Sequence, residues 1–410
     1  HVDVNSAFLS WEAVYQLKNG ASTDIRTIPA IIGGDTSLRK GVVLAKSLPA
    51  KHFGIHTGEP VTDALTKCPS LKSFRPNFPL YREYSNAFIT ILKKYAPVVE
   101  QVSIDEAYLD MSGLHYFYST PLEAAEKIQT EIRDTLGFTV NIGISSNKLL
   151  AKMASDFEKP DKVHTLFPDE IPTKMWPLPV RDLLFLGKAS EKKLTGAGIC
   201  TIGDMAHAKE REIQALLGNK AGHQLWQYAH GIDDSPVRAQ PEEAKGFSVE
   251  TTFNDDITSI EQVFPILLEQ CDVLATRMRR KDKKCNCISV TFRTLDFRNR
   301  SHQTKLENAT DLTDEIYINA TRLFKEFWKG QPLRLIGVAL TGLTDGTYEQ
   351  MSLFEDTENK ERRRKLDAAM DEIRMKFGND KITRASIMNS NARIGRKAKA
   401  QMKNEKMEEP

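Results

Sequence analysis

Two adjacent acids, Asp105 and Glu106, interrupt the segment VEQVSIDEAYLDMS, whose other residues mostly favour β-strand. Side chains alternate between the two faces of a strand, so neighbouring acids could converge only where the pleat breaks, as at a hairpin turn. Asp3 lies at the end of another predicted strand, close to a helix start. Together the three carboxylates would form an oxygen-rich site suited to Mg²⁺, and two such ions could clamp an in-line phosphoryl transfer. The alternative is three solvated acids that never meet.

A second group of candidate residues is basic. Lys148 and Lys152 are four residues apart on one face of a predicted amphipathic helix, and Lys159 follows just before Pro160. The helix comes directly after a strand and a Ser-Ser-Asn turn, a position that would let the lysines meet an anion. A solvated helix face is the ordinary alternative.

The most basic part of the chain is the stretch 277–305, with ten Lys or Arg residues against two acids in a chain of net charge +2. Around Arg293 the sequence alternates as a strand does, which would place part of this charge in a row along a sheet. Such a row would bind a phosphate backbone without reading its sequence, although a solubilising patch is the alternative. The candidate nucleic-acid contacts are Arg279, Arg280, Lys283, Arg293, Arg298 and Arg300.

Composition limits the class of protein. With 410 residues the chain should contain two or more domains, and its 57 basic and 55 acidic residues nearly balance, so any nucleic-acid surface must be local. Five scattered cysteines indicate a reducing compartment and no disulfide framework. The sequence has no signal-peptide pattern and no apolar run of membrane length, which predicts a soluble, cytoplasmic protein without a membrane partner. We also expect a few residues to be missing before His1, where the sequence is already strand-like.

The elements that must position these residues form an α+β pattern. The chain changes from strand to helix at Asn5 or Ser6, and up to residue 166 its elements follow a β-α-β-β-α-β order. That order is typical of a mixed or antiparallel sheet with helices on one face. Beyond it we predict a mostly helical part (172–230) containing a helix-hairpin-helix (182–206), a polar linker (233–243), strands and helices (246–344) and a charged helical tail from about residue 355.

Four segments carry a family resemblance: HVDVNSAF, VSIDEAYLD, GISSNKLLAKMASDFEKP and KGFSVETTFNDDI. Together they resemble the Y-family translesion DNA polymerases, of the bacterial polymerase IV and polymerase V catalytic-subunit type. The resemblance runs in order from residue 1 to about residue 344 and implies a right-hand polymerase with an α/β little finger. The implied parts are palm (1–10 and 76–166), small fingers (11–75), helical thumb (167–232), linker (233–243), little finger (244–344), and a C-terminal peptide with a charged tail (345–410).

The resemblance also implies what the acids do. Asp3, Asp105 and Glu106, with the backbone carbonyl of Val4, would hold two Mg²⁺ ions beside a DNA primer end. The implied reaction is templated, low-fidelity DNA synthesis past lesions, by transfer of a nucleotide from dNTP to the primer 3′-OH. Asp105 and Glu106 would then occupy the turn of a palm hairpin, which would explain the break in the strand pattern.

The remaining nucleotide contacts follow from the same resemblance. Phe8 would be the steric gate that excludes a 2′-hydroxyl, Lys159 would contact the incoming triphosphate, and Lys152 would support it. Where polymerase IV enzymes carry a Tyr and an Arg toward the triphosphate, this chain has Leu48 and Lys51. Lysine keeps the charge but loses the two-pronged hydrogen bonding of arginine. This departure favours the polymerase V-like branch.

A short peptide past the predicted little finger suggests a partner. Gln350, Leu353 and Phe354 in QMSLF resemble the peptide by which bacterial polymerases hold the sliding clamp. The alternative is that the apolar pair packs back on its own domain. The implied partners are therefore primer-template DNA, an incoming dNTP, the sliding clamp and accessory polymerase subunits.

Two other functions compete with this interpretation. A non-catalytic scaffold with a palm fold would be expected to lose one of the three acids, and none is lost here. A nucleotidyl cyclase shares a palm-like fold, and the tripeptide GGD at 33–35 is superficially similar to its signature. That tripeptide is detached from the acid hairpin, and a cyclase has no need of a basic little finger.

Overall fold

The computed structural model describes residues 1–34, 41–113, 116–240, 242–345, 357–379 and 381–388. The chain divides into two compact units, the first ending at Glu242 and the second beginning at Glu243. Both combine helices with sheets, so the predicted α+β class is confirmed. In the described ranges, no helix is both long and apolar enough to cross a membrane.

The first unit contains three groups of elements. Its strands are β1 (Val2–Val4), β2 (Ala30–Gly33), β3 (Val43–Lys46), β4 (Lys72–Phe74), β5 (Val98–Gln101), β6 (Glu106–Asp110), β7 (Val140–Ile144) and β8 (Val163–Thr165). Its α-helices are α1 (Ala7–Lys18), α2 (Leu48–His52), α3 (Val61–Lys67), α4 (Phe78–Tyr95), α5 (Pro121–Leu136), α6 (Lys148–Ser155), α7 (Lys188–Gly196), α8 (Ile202–His207), α9 (Glu210–Leu217) and α10 (Asn219–Ala229).

A mixed five-stranded sheet in the order β5-β6-β1-β7-β8 is the centre of the first unit. The central strand β1 is antiparallel to both β6 and β7, whereas β8 is parallel to β7. Helices α4 and α5 pack on each other and on this sheet, as their apolar periodicity predicts. The core between them includes Trp11, Phe88 and Phe138, each fully buried.

Two smaller groups complete the first unit, one inserted in sequence between β1 and β5 and one following β8. Strands β3-β2-β4 form a three-stranded sheet, and α2 and α3 contribute to its separate core around Ile31 and Val61. Helices α7 to α10 share a second core with α6. α6 lies very close to β7, because a Cβ at Gly143 would meet the carbonyl oxygen of Ala151 at 1.9 Å. This approach allows α6 to present its lysines beside the central sheet.

The second unit is a sheet covered by helices. Its elements are β9 (Gly246–Ile257), α11 (Ile260–Arg279), β10 (Lys283–Thr294), β11 (Asn299–Thr310), α12 (Thr313–Phe327), β12 (Leu333–Asp345), α13 (Thr357–Phe377) and α14 (Ala385–Met388). The strands are antiparallel in the order β11-β10-β12-β9. On β10, Ile288, Val290 and Phe292 are buried beneath α11 and α12, and the alternate residues lie on the other face.

Ion pairs attach helix α13 to α11. Asp367 is buried and lies 3.2 Å from Nη1 of Arg279, whose Nε donates to Asp371 at 2.7 Å. Arg374 is also buried and donates to Asp272 at 2.5 Å. The charged tail predicted from sequence is therefore packed against the domain over these residues.

Candidate active site

The acid pair occupies the turn between β5 and β6. The backbone N–H groups of Val102 and Ser103 both donate to the carbonyl of Glu106, at 3.1 and 3.3 Å, which closes the turn before β6 begins. Asp105 is the last residue of this turn and Glu106 is the first of β6. The pleat is broken between them, which is the local geometry that the sequence requires for two neighbouring acids to converge.

Pairing of β1 with the hairpin brings the third acid to the same place. Asp3 is the direct cross-strand partner of Glu106, and opposite residues of an antiparallel pair present their side chains on one face. The backbone N–H of Val4 donates to the carbonyl of Asp105 at 2.9 Å. The backbone carbonyl of Val4 is on the same strand. The metal contact that the resemblance implies for this oxygen stays a prediction.

Burial and mutual repulsion affect Asp105 most. Burial raises the pKa of its carboxyl group, and the charges of Asp3 and Glu106 raise this pKa further. A hydrogen bond from Ser103 lowers the pKa but does not offset the other effects. The hydroxyl of Ser103 donates to Oδ1 of Asp105 at 2.6 Å. A cation beside these acids would relieve that repulsion.

Two lysines supply positive charge to the acid cluster. Lys152 on α6 donates to Oε2 of Glu106 at 2.6 Å. Lys159, in the segment after α6, pairs with Asp3 and lies 2.8 Å from Asp156. Their placement matches the predicted position beside an anionic site, but both ammonium groups are bound here by the acids themselves.

Lys148 lies outside this acid cluster. It shares the helix face of Lys152, as predicted, but donates to both carboxylate oxygens of Glu100 at 2.8 Å. Its ammonium group also lies 4.9 Å from the centre of the Tyr108 ring. We therefore assign it to the support of the β5-β6 hairpin.

His1 is a neighbour of the acids whose importance the sequence did not suggest. Its buried ring places Nε2 3.4 Å from Oε2 of Glu106. The contacts with His1 and then with Lys152 lower the pKa of Glu106 to about 2, and burial lowers the pKa of His1. The available signal was the strand alternation, which places His1 on the same face as Asp3.

The donor set fits a hard divalent cation in chemistry but not in its present arrangement. Carboxylate oxygens are the preferred protein ligands of Mg²⁺. Within the described part of the chain, however, no group of three or more His, Cys, Asp or Glu side chains is arranged to hold a metal ion. Ion pairs with Lys152 and Lys159 engage Glu106 and Asp3 instead. Metal binding would require these lysines to release the carboxylates.

Phe8 lies on α1, five residues after Asp3. Its ring is partly buried and stacks on Tyr81 with centroids 4.8 Å apart and planes 14° from parallel. Tyr81 is fully buried and its hydroxyl donates to Glu12 at 3.2 Å. The family resemblance pointed to Phe8 but not to the supporting ring, because the α4 position of Tyr81 is indistinguishable from an ordinary core residue.

The residues that replace the family Tyr and Arg lie on α2. Lys51 is exposed in the last turn of this helix, and Leu48 at its first position is 46% exposed. Ser47 caps the start of this helix, and its hydroxyl accepts from the backbone N–H of Ala50. The predicted triphosphate contact of Lys51 stays a prediction.

The basic stretch 277–305 does not form one surface. Arg279 is engaged by Asp367 and Asp371 and is 12% exposed at its side chain, and Arg280 lies 3.5 Å from Asn379. Lys283 pairs with Asp345 and Glu243. The guanidinium group of Arg279 is engaged by the buried Asp367 and the half-buried Asp371, which argues against a DNA contact. Its predicted role in nucleic-acid binding stays a prediction. Arg280 and Lys283 likewise lie against acidic or polar groups of their own unit.

Three of the candidate contacts lie on or near the strands. Arg293 is on the β10 face opposite the helices, where its Nε donates to Asn299 at 2.7 Å. Arg298 follows the β10-β11 turn and pairs with Asp296 at 3.0 Å, and Arg300 is exposed on the edge strand β11. Arg300 is the cross-strand partner of the buried Phe292 and therefore lies on the other face of the sheet from Arg293. The three stay separate candidate contacts with nucleic acid and do not form one surface. The peptide residues Gln350, Leu353 and Phe354 lie outside the described residues, as does Asp35 of GGD.

Comparison with known proteins decides the family. The model of the impB/mucB/samB family matches residues 2–156, and that of its C-terminal domain matches 244–353. A third model, described as the thumb domain of DNA polymerase-iota, matches residues 181–233. The DNA polymerase IV of Clostridium acetobutylicum is 46% identical over 389 residues, covering 95% of this chain and 97% of that protein.

The chain belongs to the Y-family of DNA polymerases. It is thus a DNA-directed DNA polymerase of the translesion type. The DNA polymerase IV 1 of Bacillus subtilis is 34% identical over 393 residues, covering 95% of this chain and 92% of that protein. A solved Y-family DNA polymerase chimera has the same fold, with a TM-score of 0.73 at 24% identity, covering 83% of this chain and 98% of that one. The predicted right-hand fold class is confirmed.

These relatives argue against the polymerase V-like branch that Leu48 and Lys51 suggested. Both curated relatives carry the name polymerase IV and match over nearly their whole length. Leu48 and Lys51, two residues of one short helix, are a weaker indication of the branch than sequence identity to polymerase IV enzymes over nearly the whole chain.

Proposed function

We propose that this polymerase extends a primer by two-Mg²⁺ phosphoryl transfer from dNTP at the acid cluster of β1 and the β5-β6 hairpin. The observation that carries the proposal is the pairing of Asp3 with Glu106 beside the buried Asp105. When bound, the ions would activate the primer 3′-OH and stabilise charge that develops on the transferred phosphoryl group. Asp3, Asp105 and Glu106 would hold them, with the carbonyl of Val4.

The lysines are proposed to change partners during binding. With metal bound to the acids, Lys159 and Lys152 would be free to bind the triphosphate, Lys159 directly and Lys152 in support. Both lie next to the acids and carry the charge that a triphosphate requires. Lys51 is proposed as a further phosphate contact from α2.

Phe8 is proposed as the steric gate. Its stacked position on Tyr81 limits movement of the ring, so the exposed side of Phe8 would lie against the sugar of the incoming nucleotide. A deoxyribose would fit there, and the 2′-hydroxyl of a ribose would collide.

The second unit is proposed as the principal non-specific grip on DNA. Arg293, Arg298 and Arg300 would contact the phosphate backbone, which releases counterions and does not depend on sequence. QMSLF at 350–354 is proposed as the contact with a sliding clamp, and accessory polymerase subunits are proposed as further partners. We place the reaction in the cytoplasm.

Templated insertion of a single dNTP tests the proposal against its competitors. When the enzyme is mixed with a primer-template, Mg²⁺ and one dNTP, the primer should become one nucleotide longer only if that dNTP is the one that the template specifies. A scaffold would give no extension with any nucleotide. A cyclase would consume nucleotide without a primer, and either outcome would contradict the proposal.

A further inference from the structure

Asn141 is a buried polar side chain beside the acid cluster for which the proposed function has no role. It lies on β7 as the cross-strand partner of Asp3, on the side of β1 opposite to Glu106. Glu106, Asp3 and Asn141 therefore form a row across three adjacent strands, on one face of the sheet. Asn141 is fully buried, so its amide group must find partners within the protein.

The amide of Asn141 uses all of its hydrogen-bonding capacity on one segment and one neighbour. Its Nδ2 donates to the carbonyls of Ser155 at 3.1 Å and Glu158 at 2.6 Å. Its Oδ1 accepts from Nδ2 of Asn5 at 3.0 Å and from the backbone N–H of Lys162 at 3.3 Å. Two donors and two acceptor positions are the full complement of an asparagine.

Asn5 extends the same connection to the start of α1. It is buried, and its Oδ1 accepts from the hydroxyl of Thr139 at 3.0 Å and from the backbone N–H of Asp161 at 2.9 Å. Asp161 has a φ of 59°, a left-handed conformation uncommon for a residue other than glycine. The hydrogen bond to Asn5 helps to hold that conformation in place.

Both amides thus hold the segment 155–162, which carries Lys159. Between them they bind backbone groups of Ser155, Glu158, Asp161 and Lys162. Lys159 lies between these bound residues in sequence. Its side chain pairs with Asp3 on β1, the strand next to that of Asn141. Lys159 itself is a flexible side chain, so its aim depends on a fixed backbone at this point.

We propose that Asn141 and Asn5 form an amide clamp that positions Lys159 for the incoming triphosphate. They are positioning residues that act through Lys159 and need not touch the nucleotide. The proposal rests on the role of Lys159 in the proposed function. A misplacement of about 1 Å in a binding group can reduce its effect about a hundredfold, so loss of the clamp should be measurable.

Asn141→Asp is the test variant because it preserves the shape of the side chain. It replaces two donors with acceptors facing the carbonyls of Ser155 and Glu158. We expect the KM for dNTP to rise about tenfold with kcat changed much less, because a ground-state contact is lost. DNA affinity should stay unchanged. Asn147→Asp is the matched control, since Asn147 also donates to a backbone carbonyl, that of Gly231, and caps α6.

A double variant separates positioning from general stability. In a Lys159→Ala background, adding Asn141→Asp should change the KM by less than about twofold, because residues that act through one contact are not additive. An equally large increase in both backgrounds would overturn the proposal. Unchanged KM in Lys159→Ala alone would refute the role of Lys159 and with it the clamp, even if the enzyme still extends primers.

Limited proteolysis provides a readout without catalysis. A glutamate-specific protease can cleave after Glu158, and the metal-free Asn141→Asp protein should be cut there about tenfold faster than the wild type and the Asn147→Asp control. Equal rates of cleavage after Glu158 in the three proteins would overturn the proposed amide clamp. Should Asn141→Asp not fold, Asn5→Ala serves as the second variant, because it removes the acceptor of the Asp161 N–H. It should also raise the KM for dNTP and speed cleavage after Glu158. A wild-type enzyme that inserts no nucleotide would refute the proposed function, and proteolysis would still report on the clamp.

Discussion

At the residue scale, the acid cluster combines groups that oppose one another. Glu106 has its pKa lowered to about 2 by His1 and Lys152, whereas burial raises the pKa of Asp105. Neighbouring carboxylates with such different environments are common at functional sites. The break in the strand pattern pointed to Asp105 and Glu106, and the end of a strand pointed to Asp3. That these acids hold metal ions follows from the family resemblance and stays a prediction. The sequence could not predict which lysine pairs with which acid, since that depends on how closely α6 approaches β7.

Asp105 should reduce the stability of the metal-free fold. Its folded-state pKa is raised, so its ionised form disfavours folding above that pKa, and the penalty disappears as the pH falls below the ordinary carboxyl range. Asp105→Asn should therefore increase the free energy of unfolding at pH 7 by about 1 kcal/mol. Thermal unfolding in a chelator should show this gain shrinking in acid. No gain, or the same gain at every pH, would contradict the burial argument.

Phe8 gives a second test at this scale. Because its ring is held by Tyr81, removing the ring should open space at the proposed sugar contact without disturbing the acid cluster. Phe8→Ala should raise ribonucleotide insertion relative to deoxyribonucleotide insertion by about tenfold or more, the effect of losing a steric exclusion of about 1.4 kcal/mol or more. The ratio of kcat/KM for a matched rNTP and dNTP measures it. An unchanged ratio would mean that another residue excludes the 2′-hydroxyl.

At the scale of elements, local signals predicted most helices and strands of the first unit. Thr120 before α5 and Gly137 after it have the roles that their types suggest, as an N-cap and a left-handed C-cap. Helix α6 ends earlier than Pro160 requires, at Ser155, because the following segment is bound by Asn141 and Asn5. Such a tertiary contact has no local sequence signal.

The basic stretch shows the same limit in the second unit. The count of charges predicted a binding surface, but the acids that neutralise Arg279 are about ninety residues away in sequence, on α13. Only the fold brings them together. The strand residue Arg293 was predictable from alternation, because alternation reports the face of a sheet directly.

Arg279 should therefore matter for stability. Arg279→Ala would remove one partner from Asp367, which is buried and keeps Arg384, and from Asp371, which keeps Arg374. The loss of charge-assisted hydrogen bonds should cost about 2 kcal/mol. Arg277→Ala is the control, since Arg277 is exposed on the same helix. Chemical denaturation should show a lower midpoint for the second unit in Arg279→Ala alone. Normal stability with weakened DNA binding would restore the original prediction that Arg279 contacts DNA.

At the scale of the whole molecule, catalysis and attachment are expected to depend on different parts of the chain. The proposed clamp peptide lies far from the acids in sequence and should increase effective concentration at the primer end without changing the chemistry. Leu353→Ala combined with Phe354→Ala should abolish stimulation of synthesis by the sliding clamp on long, circular primed templates. Single-nucleotide insertion on a short oligonucleotide should stay near normal. Equal loss of both activities would show that the pair is structural.

The central claim is that the acid cluster carries the chemistry. The most direct measurement is the single-turnover rate of insertion of one correct dNTP by Asp105→Asn, compared with Asp110→Asn at the other end of β6, under saturating DNA. Asp105→Asn should lose about a thousandfold or more in rate, the scale of removing a transition-state electrostatic contact, with DNA affinity unchanged. Asp110, whose carboxylate accepts from the backbone N–H of Ser112, should tolerate the change within about twofold. Insertion by Asp105→Asn at the wild-type rate would contradict the account.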